Sequence, residues 1–211
     1  MFKRIVSCAL LISLIAVSFC SCAKQKEQQK TKYSENFINY FDTVSTIVGF
    51  EFEEDAFKKN CEFIEAELKE YNELYDIYKS YEGVNNIRTI NKNAGVEPVK
   101  VDQKIIDLLD YCIELYTTTQ GKTNIAMGSV LSIWHNYRNM YGGETENPEA
   151  KLPSIDTLQE AAKHTDINNI IIDRENSTVF LSDEKMTLDV GAVAKRLCYR
   201  ANCKGFRGKG R

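Results

Sequence analysis

Proline is scarce in this sequence, at 3 of 211 residues, and tryptophan and histidine are scarcer still, at 1 and 2. The histidines, His135 and His164, lie far apart, and no Cys or His spacing resembles a zinc site. No glycine-rich dinucleotide fingerprint follows a strand pattern, and no segment repeats. A basic surplus is missing too: the net charge of −3 argues against a nucleic-acid partner. Nor do the 7 cysteines form a disulfide framework. Cys8, Cys20 and Cys22 belong to the N-terminal segment, Cys61 and Cys112 fall on apolar helical stripes, and Cys198 and Cys203 lie in the tail.

What is present is a globular composition, 43% hydrophobic and 27% charged, in a chain long enough for one core and short for two domains. Lys3 and Arg4 precede an apolar run, Ile5 to Phe19, too short to span a bilayer comfortably. The run ends in Phe19-Cys20-Ser21-Cys22, the pattern of a bacterial lipoprotein signal with Cys22 as the lipidated residue; an ordinary cleaved signal with incidental cysteines is the alternative. The expected organisation is a signal over 1–21, the anchor cysteine and a flexible tether over 22–39, a domain over 40–195 and a basic tail over 196–211. The expected location is the extracytoplasmic face of a bacterial membrane, held by the lipid.

Thr43 to Phe52 reads as a strand. Phe57, Cys61, Ile64, Leu68, Tyr71, Leu74 and Tyr78 then recur at helical spacing. Lys79 to Gly95 reads as loop, Pro98 to Val101 as a short strand, and Asp102 opens a helix striped by Ile105, Ile106, Leu109, Cys112, Ile113 and Tyr116. An apolar pattern runs from Asn124 to Tyr137, and a short helix from Leu158 to Lys163. Ile170 to Ile172, Thr178 to Leu181 and Met186 to Val190 read as strands. Without a regular βαβ alternation, the expectation is an α+β fold with a mixed sheet and flanking helices, incomplete at the C-terminus.

Separated segments, in order, resemble the FAD:protein FMN transferases, the ApbE-like family. They are Phe41-Asp42-Thr43, then Asp76-Ile77-Tyr78-Lys79 with Ile87 to Asn91, then Gly121 to Gly128 running on to Leu131 and Trp134, and finally Leu188 to Lys195. The resemblance covers about Tyr40 to Lys195. It implies binding of FAD as substrate with Mg²⁺, and transfer of FMN to a Thr or Ser hydroxyl of an acceptor protein with release of AMP. With the lipid anchor, it implies a membrane redox subunit as acceptor. Carried over by motif, Phe41, Tyr78, Lys122, Thr123, Asn124, Asp189 and Lys195 line the FAD site, and the Ala192 backbone carbonyl contacts the metal. Asn124 stands where the family has Asp, and Phe41 where many members have Met. A non-catalytic flavin-binding lipoprotein and an FAD pyrophosphatase yielding FMN and AMP are the alternatives.

The residue types suit that chemistry. A pyrophosphate pairs with lysine and with a hard cation, and aromatic rings stack on a flavin or an adenine. Each residue alone has a plainer role. Tyr78 and Phe41 would be core, Lys195 a solvated lysine, Asp189 a turn acid, and Thr123-Asn124 a helix cap.

After Lys195 the character changes: Arg196, Arg200, Lys204, Arg207, Lys209 and Arg211 occur with no acid. A basic tail for anionic partners is the literal reading. Codons for Arg196 onward can be chosen so that dropping one base restores the family's Gly-Tyr-Ala and an amphipathic helix. The expectation is therefore a frameshift near the Lys195 codon that leaves the chain truncated and inactive alone.

Overall fold

The computed structural model describes residues 29–142 and 149–199. The expected signal, Cys22, the first part of the tether and residues 200–211 of the tail lie outside the described residues.

The first element was not expected. Strand β1 (Thr31–Tyr40) pairs antiparallel with β2 (Thr43–Glu51), so the later part of the segment read as tether is half of a hairpin. Tyr33 sits opposite Gly49, and its ring stacks on Phe57 with centroids 5.5 Å apart. Gly49 is required there, because a Cβ would come within 2.9 Å of the Phe57 ring.

Helix α1 (Glu54–Tyr75) buries the expected stripe of Phe57, Cys61, Leu68, Tyr71 and Leu74. It stops three residues before the stripe's last member, Tyr78, because Asp76 turns the chain into extended geometry. The segment read as loop contains a short helix, α2 (Ile87–Lys92), closed by a reciprocal capping box. The Asn86 side chain accepts from the Thr89 N–H at 3.1 Å, and the Thr89 hydroxyl accepts from the Asn86 N–H at 3.3 Å. Asn86 is fully buried, and its amide also donates to the Glu73 and Lys79 carbonyls, which fixes the loop after α1.

β3 (Val99–Lys100) leads into α3 (Gln103–Thr118), capped by Asp102 and burying Ile105, Ile106, Leu108, Leu109 and Cys112. A 3₁₀ turn (Ile125–Met127) precedes α4 (Gly128–Tyr141), and α5 (Ile155–Ala162) follows a Ser154 cap. β4 (Ile170–Asp173) and β5 (Thr178–Leu181), both expected as strands, pair antiparallel and complete a three-stranded sheet in the order β3-β5-β4. The last helix, α6, spans 191–199.

The α+β class holds, with two small antiparallel sheets among the described residues in place of a single mixed one. Met186 to Val190 is not a strand. Met186, Leu188 and Val190 are buried as the period of two implies, but the backbone bonds to a side chain and a turn, described below. The first part of the tail is ordered: α6 continues through 196–199 and buries Cys198. No helix of the described residues is long and apolar enough to cross a membrane.

Candidate functional site

The hairpin turn between β1 and β2 forms one wall. Phe41 and Asp42 both have positive φ, 54° and 50°, the left-handed geometry of tight hairpins that usually falls to Asn and Gly. Strain of this kind persists only when the surroundings hold it. Here the Phe41 N–H donates to Asn72 Oδ1 of α1 at 2.9 Å, and the Lys195 ammonium of α6 donates to the Thr43 hydroxyl.

The loop after α1 forms a second wall. Asp76 accepts from the Tyr78 and Lys79 N–H groups at 2.6 and 2.9 Å and from the Tyr81 hydroxyl at 2.8 Å. Burial and that carboxylate push the Tyr81 phenol up to about 12. Tyr78 is thereby turned outward, 54% exposed, which overturns its reading as core. Its hydroxyl meets His135 Nδ1 of α4 at 2.9 Å. Burial first, and then the nearby Asp189 carboxylate, hold the Tyr78 phenol above its ordinary range, so it is neutral at neutral pH.

The third wall is the segment 186–195. Both polar atoms of the Asn91 side chain grip one residue: Nδ2 donates to the Leu188 carbonyl at 3.0 Å and Oδ1 accepts from its N–H at 2.7 Å. The Asp189 N–H donates to the Ile125 carbonyl at 2.8 Å. Gly128 lies against the Thr187 backbone, where any Cβ would overlap the carbonyl. So anchored, the segment presents the Asp189 carboxylate, which accepts from the Gly191 N–H at 3.0 Å as α6 begins. One turn later, Lys195 reaches back to the hairpin and lies 5.7 Å from the centre of the Tyr199 ring, whose hydroxyl bonds Ser45 at 2.7 Å.

These walls enclose a cleft of about 450 Å³ that brings together Phe41, Tyr78, Asp189 and Lys195. His135, Arg138, Lys79 and Asp42 join them; Asp42 and Lys79 lie inside segments that carry the resemblance without having been assigned to the site, while His135 and Arg138 are lone polar residues with no distinctive neighbours. Lys122, Thr123 and Asn124 are not among the lining residues. Asn124 instead caps the 3₁₀ turn through the Ala126 N–H and ties it to the Thr165 carbonyl, the plainer role considered for it. Ala192 is exposed in the first turn of α6, beside the lining residues Gly191 and Ala194.

Chemically, the cleft offers aromatic surface from Tyr78 and Phe41 and cations from Lys79, Arg138 and Lys195, a set suited to a flat ring joined to phosphates. The described residues do not fit a magnesium centre. Among them no three His, Cys, Asp or Glu side chains cluster, and one Asp189 oxygen is already engaged by Gly191. A single alanine carbonyl falls far short of octahedral oxygen coordination.

The family model described as the ApbE family matches residues 41–203. A curated relative from Haemophilus influenzae named FAD:protein FMN transferase is 25% identical over 200 residues, covering 92% of this chain and 53% of the relative. One of the same name from Treponema pallidum is 29% identical over 114 residues, covering 52% of this chain and 29% of the relative. The chain thus spans about half the length of the Haemophilus relative and less of the Treponema one. Among solved structures, the flavin transferase ApbE from Vibrio cholerae superposes with a TM-score of 0.69 at 16% identity, covering 86% of this chain and 55% of that one. The ApbE protein of Thermotoga maritima gives 0.65 at 22%, covering 82% and 51%. At these identities the structural likeness speaks to the fold alone.

Proposed function

The chain belongs to the ApbE family, and from that membership we propose that it serves protein flavinylation: FAD binds in the cleft and its FMN half passes to a Thr or Ser hydroxyl of an acceptor protein, with AMP leaving. The observation that carries this reading is the convergence of Phe41, Tyr78, Asp189 and Lys195, from three separate stretches of chain, on one cleft.

In that reaction the acceptor oxygen bonds the flavin-side phosphorus and the bond to the AMP oxygen breaks. Such transfers need positioning and charge neutralisation more than covalent help from the protein. Tyr78 and Phe41 hold a ring, while Lys195, kept in place by Thr43, and Arg138 neutralise phosphate oxygens. The Mg²⁺ dependence implied by the resemblance requires oxygen ligands from outside the described residues, with the Ala192 carbonyl as one contact.

The cellular setting completes the proposal: lipid attachment at Cys22, an extracytoplasmic membrane face, and a membrane redox subunit as acceptor. Metabolic labelling with a fatty acid, followed by Cys22→Ala, tests the anchor: label on the substituted chain would remove it.

A second reading, a flavin-binding protein without transfer activity, is favoured by the poor metal site. Incubation of the chain with FAD, Mg²⁺ and a candidate acceptor separates the readings. Covalent flavin on the acceptor supports transfer, free FMN and AMP mean hydrolysis, and bound but unchanged FAD means binding alone.

A further inference from the structure

Next to the flavin cleft lies a smaller one of about 320 Å³, which shares Ile77, Tyr78, His135 and Asp189 as a common wall. Its other lining residues include Arg88 and Lys92 of α2, together with Thr187. Arg88 and Lys92 stand one helical turn apart on one face, and among the described residues no carboxylate is ion-paired with either.

Two residues lining this cleft each carry an anomalous atom. Arg88 Nε and Thr187 Oγ1 are buried with no hydrogen-bond partner, the two side-chain atoms so placed among the described residues. A buried guanidinium N–H left unsatisfied is expensive, and natural folds seldom retain one without use. Both atoms can donate, both residues line the same cavity, and a second cation stands beside them. The fold gives them no structural partner, since Asn91, between Arg88 and Lys92 in sequence, is spent on the Leu188 backbone. The carboxylate facing the cavity, Asp189, already accepts from the Gly191 N–H and lies on the wall shared with the larger cleft.

We infer that Arg88, Lys92 and the Thr187 hydroxyl form an oxyanion subsite adjoining the flavin cleft. A planar guanidinium presents parallel donors that match a phosphate or carboxylate edge, and the hydroxyl supplies a further donor. The oxyanion comes from one of two sources: the diphosphate of the dinucleotide in the neighbouring cleft, or a separate anionic ligand held alongside it. That assignment of sources rests on the flavin reading above; the subsite itself does not.

The test measures binding of inorganic pyrophosphate, FAD and riboflavin to the full chain and to Arg88→Gln, Lys92→Gln and Thr187→Val. Lys92 is exposed, so its substitution leaves folding intact, and circular dichroism checks the other two. Wild-type chain is expected to bind pyrophosphate, and Arg88→Gln to weaken it by about tenfold, the size of one charge-assisted hydrogen bond. If FAD weakens in parallel while riboflavin does not, the subsite holds the dinucleotide's diphosphate. If pyrophosphate weakens and FAD does not, it holds a separate anion. Pyrophosphate binding that needs Arg88 in a chain that ignores FAD would sink the flavin reading and leave the subsite standing. Pyrophosphate that fails to bind, or binds equally to all variants, overturns the subsite whether or not FAD binds.

Discussion

The Tyr78 hydroxyl stands 2.9 Å from His135 Nδ1, with ring centroids 5.9 Å apart, so the loop after α1 and the exposed helix α4 meet at one polar contact between two clefts. Removing the ring and removing the contact are separable. Tyr78→Ala is expected to weaken flavin binding by about tenfold or more, through lost stacking surface. Tyr78→Phe and His135→Ala keep the ring and are expected to change it by less than about fivefold. Titration by flavin fluorescence checks the order; equal losses in all three would refute a stacking role.

The hairpin turn predicts a gain of stability. Asp42 adopts left-handed geometry without being glycine, so Asp42→Gly relieves backbone strain of about 1 kcal/mol. A raised thermal midpoint is the expected outcome. An unchanged or lowered one means that the Asp42 side chain repays its strain.

Asn91 predicts a loss that reaches the site from a distance. Asn91→Ala removes both bonds to Leu188 and leaves its backbone N–H and carbonyl without their partner, at about 2 kcal/mol. Flavin affinity is expected to fall as well, because Leu188 sets the position of Asp189. Urea denaturation and flavin titration on the same variant test the two effects separately.

Gly128→Ala is expected to destabilise by about 1–3 kcal/mol, since the new methyl overlaps the Thr187 carbonyl and must push backbone aside. A thermal melt within a degree of the unsubstituted chain would contradict the packing described.

The pair of His164 and Asp183 makes stability depend on pH. His164, just after α5, bonds Asp183, in the turn after β5, at 2.8 Å. Burial pushes the Asp183 carboxyl up, but the bond from His164 and the Lys185 N–H outweigh it and hold the group below its ordinary 3.8. A depressed carboxyl stabilises the fold fully above its unfolded value and loses that contribution as pH falls through its folded value. Asp183→Asn is therefore expected to cost about 1 kcal/mol at neutral pH and to flatten the acid limb below 3.8. Urea midpoints measured down that limb check the sign.

The long helices were legible because burial selects one face: Phe57 to Leu74 and Ile105 to Cys112 recur at helical spacing and are buried. Helix α2 escaped notice because only Ile87 and Ile90 mark it, and its cap uses threonine where glutamate is the usual signal. β1 was read as tether over most of its length because Lys32, Ser34, Glu35 and Asn36 dilute its apolar residues. Met186 to Val190 shows the limit of periodicity. Alternation reports alternating burial, and a segment can alternate while Asn91 and Ile125 take the place of a neighbouring strand. The candidate cleft was legible where an uncommon run of residues lines it, as around Asp189 and Lys195. It was not where a helix merely turned a polar side chain toward the cleft, as with His135 and Arg138.

The wall common to the two clefts has a thermodynamic corollary. Ile77, Tyr78, His135 and Asp189 belong to both cavities, so a guest that fixes their orientation in one alters the vacant geometry of the other. Linkage then demands symmetry: whatever factor one guest imposes on its neighbour's dissociation constant, the neighbour returns in full. Two ligands that never touch can thus be cooperative or competitive through four side chains, and the sign can be read from either binding isotherm.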